Sequence, residues 1–579
     1  MSFYDDASLI MIPSGVKAGT VYSQKPMDSD GQFTFTRASE ATRLVDGVVT
    51  KVRTNSLLQS NDFDTTWALT GATITGGQAD KDGGTDAWLL EASSSGGGKK
   101  IVQTVSLSSV NAYSLYAKAG NVNYLALEVS GTTYSYVNLT DGTLGASGGA
   151  GLVDFNTTNV GGGWWRITMT TTSVTIVTIF IAGSSSATTV NTGDNILIQS
   201  AQLEQGTVAT DYIATTTVAV SEGPVANMPR LNSVAGGCPS LLLEPQRTQL
   251  IAYSEYYQGW TLAQADITLT SNSVTSPDGS QNATKIVFAG SGATQLFQYV
   301  SAVIGTIYTT SAFVKYKSGV SKSIKVGVYD SGHKTIQIDF NEDGTISSAT
   351  ASGTLVDSGY EDYGNGWYRV YIVHTGATAG YIEMQINRIS LSNTVEEFYI
   401  YGSQCEAGNF STSYIPSYGT AATAAIEQAV LPTTSFDLTG DWSILLDFGN
   451  VYKTSTASEY ILKLDTDTND FYLYAAGTTT AGLNIYLPSQ GGYVFGSSDN
   501  AAWGVDASKI CVTYDSATGR LVYFINGSKY NEQTSALSFG NSASGSKFYP
   551  GGNNIVNIKK YLFFESALTD AEAITLTTL

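Results

Sequence analysis

The sequence predicts an all-β, multi-domain chain: two β-sandwiches of one design in tandem, a third sandwich after them, and an extended segment in front. Three observations predict it. A phrase is written twice, GWWRI at Gly163 to Ile167 and GWYRV at Gly366 to Val370. Each copy is followed by a second shared phrase, QLEQGTVATDYI at Gln202 to Ile213 and QCEAGNFSTSYI at Gln404 to Ile415. Charged residues make up only 13%, glycine numbers 60 and tyrosine (35) outnumbers phenylalanine (21), which suits short strands joined by tight turns. Apolar residues also alternate, as in YLALEVS (Tyr124 to Ser130) and IKVGVYD (Ile324 to Asp330), the period of half-buried antiparallel strands.

Taken in order, residues 1–52 come first. LIMIPSGVKAGTVYSQKP (Leu9 to Pro26) is punctuated by Pro and Gly and has little periodicity, so it reads as an extended segment that needs a partner to be ordered. The opening MSFYDDASLIMIPSG carries acids where a secretory leader needs positive charge. No stretch approaches the roughly 20 apolar residues of a membrane span. The expectation is a protein made in the cytoplasm without a standard leader and without membrane insertion.

The first copy spans 53–219 and the second 247–424. RTNSLLQSN (Arg53 to Asn61) faces RTQLIAYSE (Arg247 to Glu255), Trp67 faces Trp260, and Asp82 faces Asp278. Asp141-Gly142 and Asp343-Gly344 mark equivalent hairpins. The offset between the copies grows along the chain, as loop insertions between matching strands require. Two such sets of short strands predict two jelly rolls. Residues 220–246 connect them, and 425–579 form the third module, with alternating strands in FDLTGDWSILLDF and KICVTYDSATGRLVYFING. The chain closes on ESALTDAEAITLTTL, where Ser566 or Thr569 caps a short helix with Asp570 and Glu572 in its first turn.

The formal charge is −20, from 29 Lys and Arg against 49 Asp and Glu. A chain this acidic is repelled by phosphate backbones and anionic membranes, so no nucleic acid partner is expected. Three scattered cysteines, Cys238, Cys405 and Cys511, make neither a disulfide framework nor a metal site and read as small buried hydrophobes.

The order RASEATRLVDGVV, PRLNSVAGGCPSLLLEPQRTQLIAYSE, PDGS, NGWYRV, QCEAG and TSYIP resembles bacteriophage virion appendage proteins, of tail or head fibre type, with tandem carbohydrate-binding-like jelly rolls. The C-terminal block, with NGSKY and ALTDAE, resembles concanavalin-like (laminin-G-like) sandwiches. The resemblance implies a structural virion protein, attached to other virion proteins through its N-terminal segment, oligomeric, and presenting glycan-binding sandwiches to host surface polysaccharide. In such proteins the RAS segment runs closely into the PRL…LLLEPQRT segment. Here Arg53 to about Val218 stands between them, which predicts that the first jelly roll is inserted there and that Thr36–Val52 packs against Ala226–Glu244.

Sugar recognition needs aromatic faces beside hydrogen-bonding amides and carboxylates. Trp164, Trp367, Arg166 and Arg369 are the glycan-binding candidates. Strand alternation puts each first aromatic and its arginine on one face and the middle residue, Trp165 or Tyr368, on the other, where the middle residue is the better core candidate. A core role for the whole motif stands beside the ligand reading. Glu204 and Glu406 with Arg166 and Arg369 read as a catalytic pair or, because both modules repeat them, as structural ion pairs. Asp82, Asp278, Asp465 and Asp467 are the metal candidates, for a structural calcium; no other cofactor is implied. LDTDTNDF (Leu464 to Phe471) lacks the Gly and distal Glu of an EF-hand. His333 and His374 have no nucleophile in a recognisable elbow. A non-enzyme is therefore expected, with two alternatives: a polysaccharide-degrading tailspike-type glycosidase, and a capsid or tail component that binds no sugar.

Overall fold

The computed structural model describes residues 3–578, apart from 234–236, 264–265, 290–294, 379, 390–393, 432–437, 454–458, 466–470, 477–481, 488–491, 496–508, 535–538, 540–544 and 549–553. The chain is a multi-domain all-β protein. Among the described residues, no helix is long and apolar enough to cross a membrane.

Each copy of the repeat is two antiparallel six-stranded sheets packed face to face. In the second copy one sheet, here the near sheet, runs Asp357–Asp362, Tyr368–Thr375, Ile307–Ser318, Glu396–Ala407, Ala283–Phe288, Ile267–Val274. The other, the far sheet, runs Ile346–Ser352, His333–Phe340, Ser323–Tyr329, Gly380–Arg388, Gln295–Ala302, Thr261–Leu262. The chain crosses repeatedly between the sheets, from Gln295–Ala302 to Ile307–Ser318 to Ser323–Tyr329 and from Tyr368–Thr375 to Gly380–Arg388 to Glu396–Ala407, which is jelly-roll winding. The first copy repeats the order strand for strand, its near sheet running from Leu152–Gly161 at one edge to Ala72–Gln78 at the other.

The inner faces carry the apolar phase of each strand. In the second copy Val326, Val328, Ile336, Ile382, Met384 and Ile400 are buried together, and in the first Leu125, Leu127, Ile167, Ile179 and Ile198. The shared turn at Asp141-Gly142 serves this packing. Gly142 has φ +75° and lies under the Trp165 ring, where a Cβ would sit 2.2 Å from the ring carbon. Only glycine fits both demands.

The second shared phrase is a loop clamp. Gln202 accepts from Ile213 N–H (2.6 Å), while Glu204 accepts from Thr210 N–H and Oγ1 (2.7 Å each). In the second copy Gln404 accepts from Ile415 N–H (2.8 Å) and Glu406 from Thr412 N–H and Oγ1 (2.8 and 2.6 Å). Asn55 and Gln249, which face each other in the repeat, bind the same loop from the opposite side. Asn55 donates to Ala201 O and Ile213 O, and Gln249 to Ser403 O and Ile415 O. With Leu57 and Leu203 N–H donating to Asn55 Oδ1, and Ile251 and Cys405 N–H to Gln249 Oε1, four buried backbone groups around each amide are satisfied.

The third sandwich is assembled from three separate stretches of chain. Its first sheet takes Leu9–Met11 from the N-terminal segment, and Arg230–Asn232 with Ser240–Leu243 from the connection. These join Asn554–Phe564, Trp442–Lys453, Lys509–Asp515, Arg520–Ile525 and Ser528–Thr534. Its second sheet begins Val16–Lys17, Thr20–Tyr22, Gln32–Thr36, Gln428–Leu431 and continues into C-terminal strands. One core holds Leu9, Phe33, Phe35, Leu241, Leu243, Trp442, Phe548 and Phe563. Residues 1–52, expected as an extended anchoring segment, thus supply strands to this sandwich, because short strands with open edges bury their backbone only by pairing. Both jelly rolls are loops of it.

The N-terminal segment and the connection lie side by side. Arg37 N–H donates to Asn227 Oδ1, Leu44 N–H to Asn232 Oδ1, and Ser233 N–H to Leu44 O. Where the three stretches meet, buried charges are knotted. Glu427 accepts from Arg37 Nη1 (2.7 Å) and from Arg230 Nε (2.8 Å) and Nη2, and Arg230 also binds Glu244 (2.8 Å). At the C-terminus Thr569 caps Asp570–Thr577 in a full capping box with Glu572. Cys405 and Cys511 are buried on strands, but Cys238 is exposed, in the non-strand stretch ahead of Ser240–Leu243.

Candidate functional site

The doubled phrase lies on the near sheets, and its alternation is as expected. Tyr368 packs into the sandwich core and Trp165 borders it. The other face, however, is also covered. Trp164 and Trp367 are each 2% exposed, as is Arg369, so neither indole offers a sugar an open ring. In the second copy the cover is the hairpin of Arg43–Val45 and Val48–Thr50: Val49 and Leu44 pack with Trp367, Phe313, Tyr401 and Tyr414 in a second, smaller core. Trp367 Nε1 donates to Thr275 O (3.0 Å), and Arg369 donates to Thr412 O (2.7 Å). Arg166 also reaches the carbonyl of Thr210.

Each arginine therefore meets its glutamate's clamp on one threonine, the arginine at the carbonyl and the glutamate at the amide and hydroxyl. Burial pushes both glutamates above the usual carboxylate range, against the threonine hydrogen bonds. At 1% and 0% exposure neither acid can reach a substrate. The motif is structural.

The metal candidates are dispersed. Asp82 is exposed and pairs with Lys81 (2.7 Å). Asp278 is buried and already neutralised by Lys51 (2.8 Å), with Asn282 and Tyr401 also donating to it; a cation there would have to displace an ammonium. Asp465 ends the strand Glu459–Asp465 with its side chain outside the described set, and Asp467 lies outside the described residues. Of the histidines, His374 is fully buried beside Asp330 (3.7 Å) and His333 is exposed.

A different surface carries the chemistry. On the far sheet of the second copy the polar phase of the strands faces outward, yet it holds Phe297, Tyr299, Tyr329 and Tyr381. Tyr299 is 54% exposed and Tyr381 56%. Their ring centroids lie 4.8 Å apart at 82°, and Phe297 stands 5.3 Å from Tyr299. The register sets Tyr299 opposite Glu383, Phe297 opposite Gln385 and Gln295 opposite Asn387. Asn387 donates to Gln385 (3.1 Å) and Gln385 to Glu383 (3.0 Å), leaving Asn387 Oδ1 buried without a partner.

At the centre of this face Gly327, opposite Gln385, has no side chain; a Cβ would sit 2.2 Å from Lys334 O. The floor is thus lowered between the aromatics and a second polar group, where Gln337 (2.9 Å), Ser323 and Ser348 donate to Asp339. Those bonds hold the Asp339 carboxyl below its usual range against its partial burial. Exposed ring faces beside fixed amides and carboxylates are the arrangement that binds apolar sugar faces and hydroxyls together. On the matching face of the first copy Lys100 lies 5.1 Å from the Phe180 ring, and Tyr134 and Tyr136 stand 6.0 Å apart.

Fold and surface together define a class: a multi-module β-sandwich chain whose open far sheets, not its repeated motif, carry the exposed aromatics. No family model and no curated protein matches the chain. Among solved structures it is similar to the N-terminal tandem CBM22 domains of Paenibacillus barcinonensis Xyn10C, at 10% identity over 61% of this chain and 97% of that one, TM-score 0.21. It is also similar to the CBM40 of Ruminococcus gnavus IT-sialidase bound to α2,3-sialyllactose (16% identity, 24% of this chain and 84% of that one, TM-score 0.19). A third is domain 4 of the Geobacillus stearothermophilus arabinanase AbnA in complex with arabinotriose (14%, 29% and 82%, TM-score 0.22). At these identities and scores the likeness adds nothing to the sandwich architecture already described.

Proposed function

We propose that this chain is a non-enzymatic adhesion subunit of a bacteriophage particle, binding host surface polysaccharide through the far sheet of its second jelly roll. The observation that supports the sugar reading is the Tyr299–Tyr381 pair set beside the Glu383–Gln385–Asn387 ladder. The virion reading rests on the sequence resemblance. Attachment to other virion proteins would use the composite third sandwich, since the strands between Leu9 and Thr36 are part of it. Single sugar sites of this kind are weak, and display of several copies on one particle raises their avidity.

The test is binding of the full chain to a glycan array and to host polysaccharide. Tyr299→Ala with Tyr381→Ala should lower binding at least tenfold, because each exposed stacking contact contributes on the order of 1 kcal/mol, without lowering thermal stability. Equal binding by the variant, or none by the parent, refutes the site. Release of reducing ends during the same incubation would favour the glycosidase alternative.

A further inference from the structure

The copies of the repeat diverge most pointedly around one lysine that belongs to neither. Where the first copy has Asn61, Gln199 and Thr216, the second has Glu255, Tyr401 and Tyr418. These three, with Asp278, enclose Lys51, which enters from the N-terminal segment. Its ammonium lies 2.8 Å from Asp278 Oδ2 and 2.8 Å from Glu255 Oε1, and the side chains are 10%, 2% and 0% exposed. Tyr401 donates its hydroxyl to both carboxylates, at 2.9 and 3.1 Å. An ion pair needs one carboxylate; this lysine has two, each 2.8 Å away, in a pocket lined by the Tyr401 and Tyr418 rings.

We propose that Lys51 and Asp278 condense to an intramolecular amide, with Glu255 relaying the protons, stapling the segment that leads into the first jelly roll onto the second. Glu255 takes a proton from the Lys51 ammonium, and the freed Nζ lone pair attacks Asp278 Cγ. Charge on the resulting oxygen falls on Oδ1, to which Ser280 N–H (2.8 Å) and Ser276 Oγ (2.9 Å) already donate. The C–Oδ2 bond breaks, and Oδ2 leaves as water with two of the three ammonium protons, both passed through Glu255, which ends as the carboxylate it began as. One positive and one negative charge are consumed, and no oxidant or cofactor is needed. Lys51 and Asp278 line a cleft of about 450 Å³ that gives the water an exit. Burial disfavours both charges, but each partner holds the other ionised, Asp278 at about 2 and Lys51 well above the usual lysine range, so the reaction is a slow, single maturation event from a charged ground state. Fixed proximity is what such a step requires.

The proposal is independent of sugar binding and is read by mass. The full chain, denatured, should weigh one water less than its sequence. A tryptic digest should contain one branched peptide joining the Lys51 and Asp278 segments, resistant to hydroxylamine, with cleavage after Lys51 lost. Glu255→Gln should restore the full mass and the two separate peptides. A parent chain of full mass overturns the proposal, as does a lost water found as a hydroxylamine-sensitive succinimide at Asp278-Gly279 with Lys51 free. The parent measurement alone decides should Glu255→Gln fail to fold.

Discussion

Glu427 is the residue on which the three-part sandwich turns, and removing it gives a sharp prediction. Its carboxylate is fully buried and accepts from Arg37 (2.7 Å), from Arg230 (2.8 Å) and from Glu244 N–H (2.9 Å). In Glu427→Ala, Arg230 keeps Glu244, but Arg37 keeps only carbonyls: those of Ser39, Pro224 and Val225. Breaking a buried pair by removing one partner costs about 3–5 kcal/mol, because a desolvated charge remains. That is roughly two to four decades in an opening constant. Glu427→Gln keeps an acceptor oxygen and should lose only about 1–3 kcal/mol. With several domains present, a single unfolding midpoint is not informative. The assay is hydrogen exchange on peptides covering Leu9–Met11, Gln32–Thr36 and Asn554–Phe564, with peptides of the first jelly roll as the internal reference. Protection in the three should fall together by the stated factor while the reference stays level. If they stay within about tenfold of the parent, or fall separately, the knot does not hold the sandwich together.

Three further outcomes follow from buried groups elsewhere in the chain. Burial, with the Lys334 charge nearby, holds His374 down at about 4 against the opposing pull of Asp330. Protonation therefore favours the unfolded chain. Its stabilisation is complete above the ordinary value near 6.5 and is lost as the pH falls from there towards 4, up to about 3 kcal/mol. Asp330 is held at about 2, against its own burial, by Lys334 and Thr378; its contribution starts to fall below about pH 5 in parent and variant alike, so the difference between the two chains reports His374. Exchange protection of peptides covering Tyr368–Thr375, compared between the parent and His374→Phe across pH 7 to 4, should show the steeper fall in the parent. Trp367→Ala should lose about 3–5 kcal/mol by cavity formation in urea unfolding at a temperature where glycan binding by the still-folded fraction is unchanged; selective loss of binding would return the motif to the ligand role. Gln249→Ala strands four buried backbone groups and should cost about 2–4 kcal/mol, with Asn55→Ala doing the same in the first copy, each read by local exchange protection.

Much of the architecture was written locally. The doubled phrases, the Asp-Gly turns and the period of two are contacts between neighbours in sequence, and they led to two matching sandwiches and to the capped terminal helix. Alternation also told correctly which of Trp164 and Trp165 turns towards the sandwich interior. It could not tell that in the second copy the opposite side, at Trp367, would be roofed by residues 43–50, since that contact joins segments with no pattern in common. The composite sandwich escaped for the same reason: Leu9–Met11 is three residues long, and its partner strand is Asn554–Phe564. The aromatic face of the far sheet has its own signal in the strand phase. In QLFQYVSA (Gln295 to Ala302), Leu296 and Val300 already fill the buried phase, so Phe297 and Tyr299 fall on the polar one. Aromatics in the wrong phase of an alternating strand are informative because an exposed large apolar surface needs an explanation.

The pairing of Leu9 with Phe563 also sets a timetable for synthesis. At roughly 5–20 residues per second, on the order of a minute separates the emergence of the first strand from that of its partner. Both jelly rolls emerge complete in that interval and can fold at the ribosome, while Leu9–Met11 and Gln32–Thr36 wait with open edges and apolar faces. A chain released early would carry two finished modules and an exposed, aggregation-prone start. The composite sandwich closes only once Asn554–Phe564 has been made, so the strand that completes it is also the one its opening strand waits for.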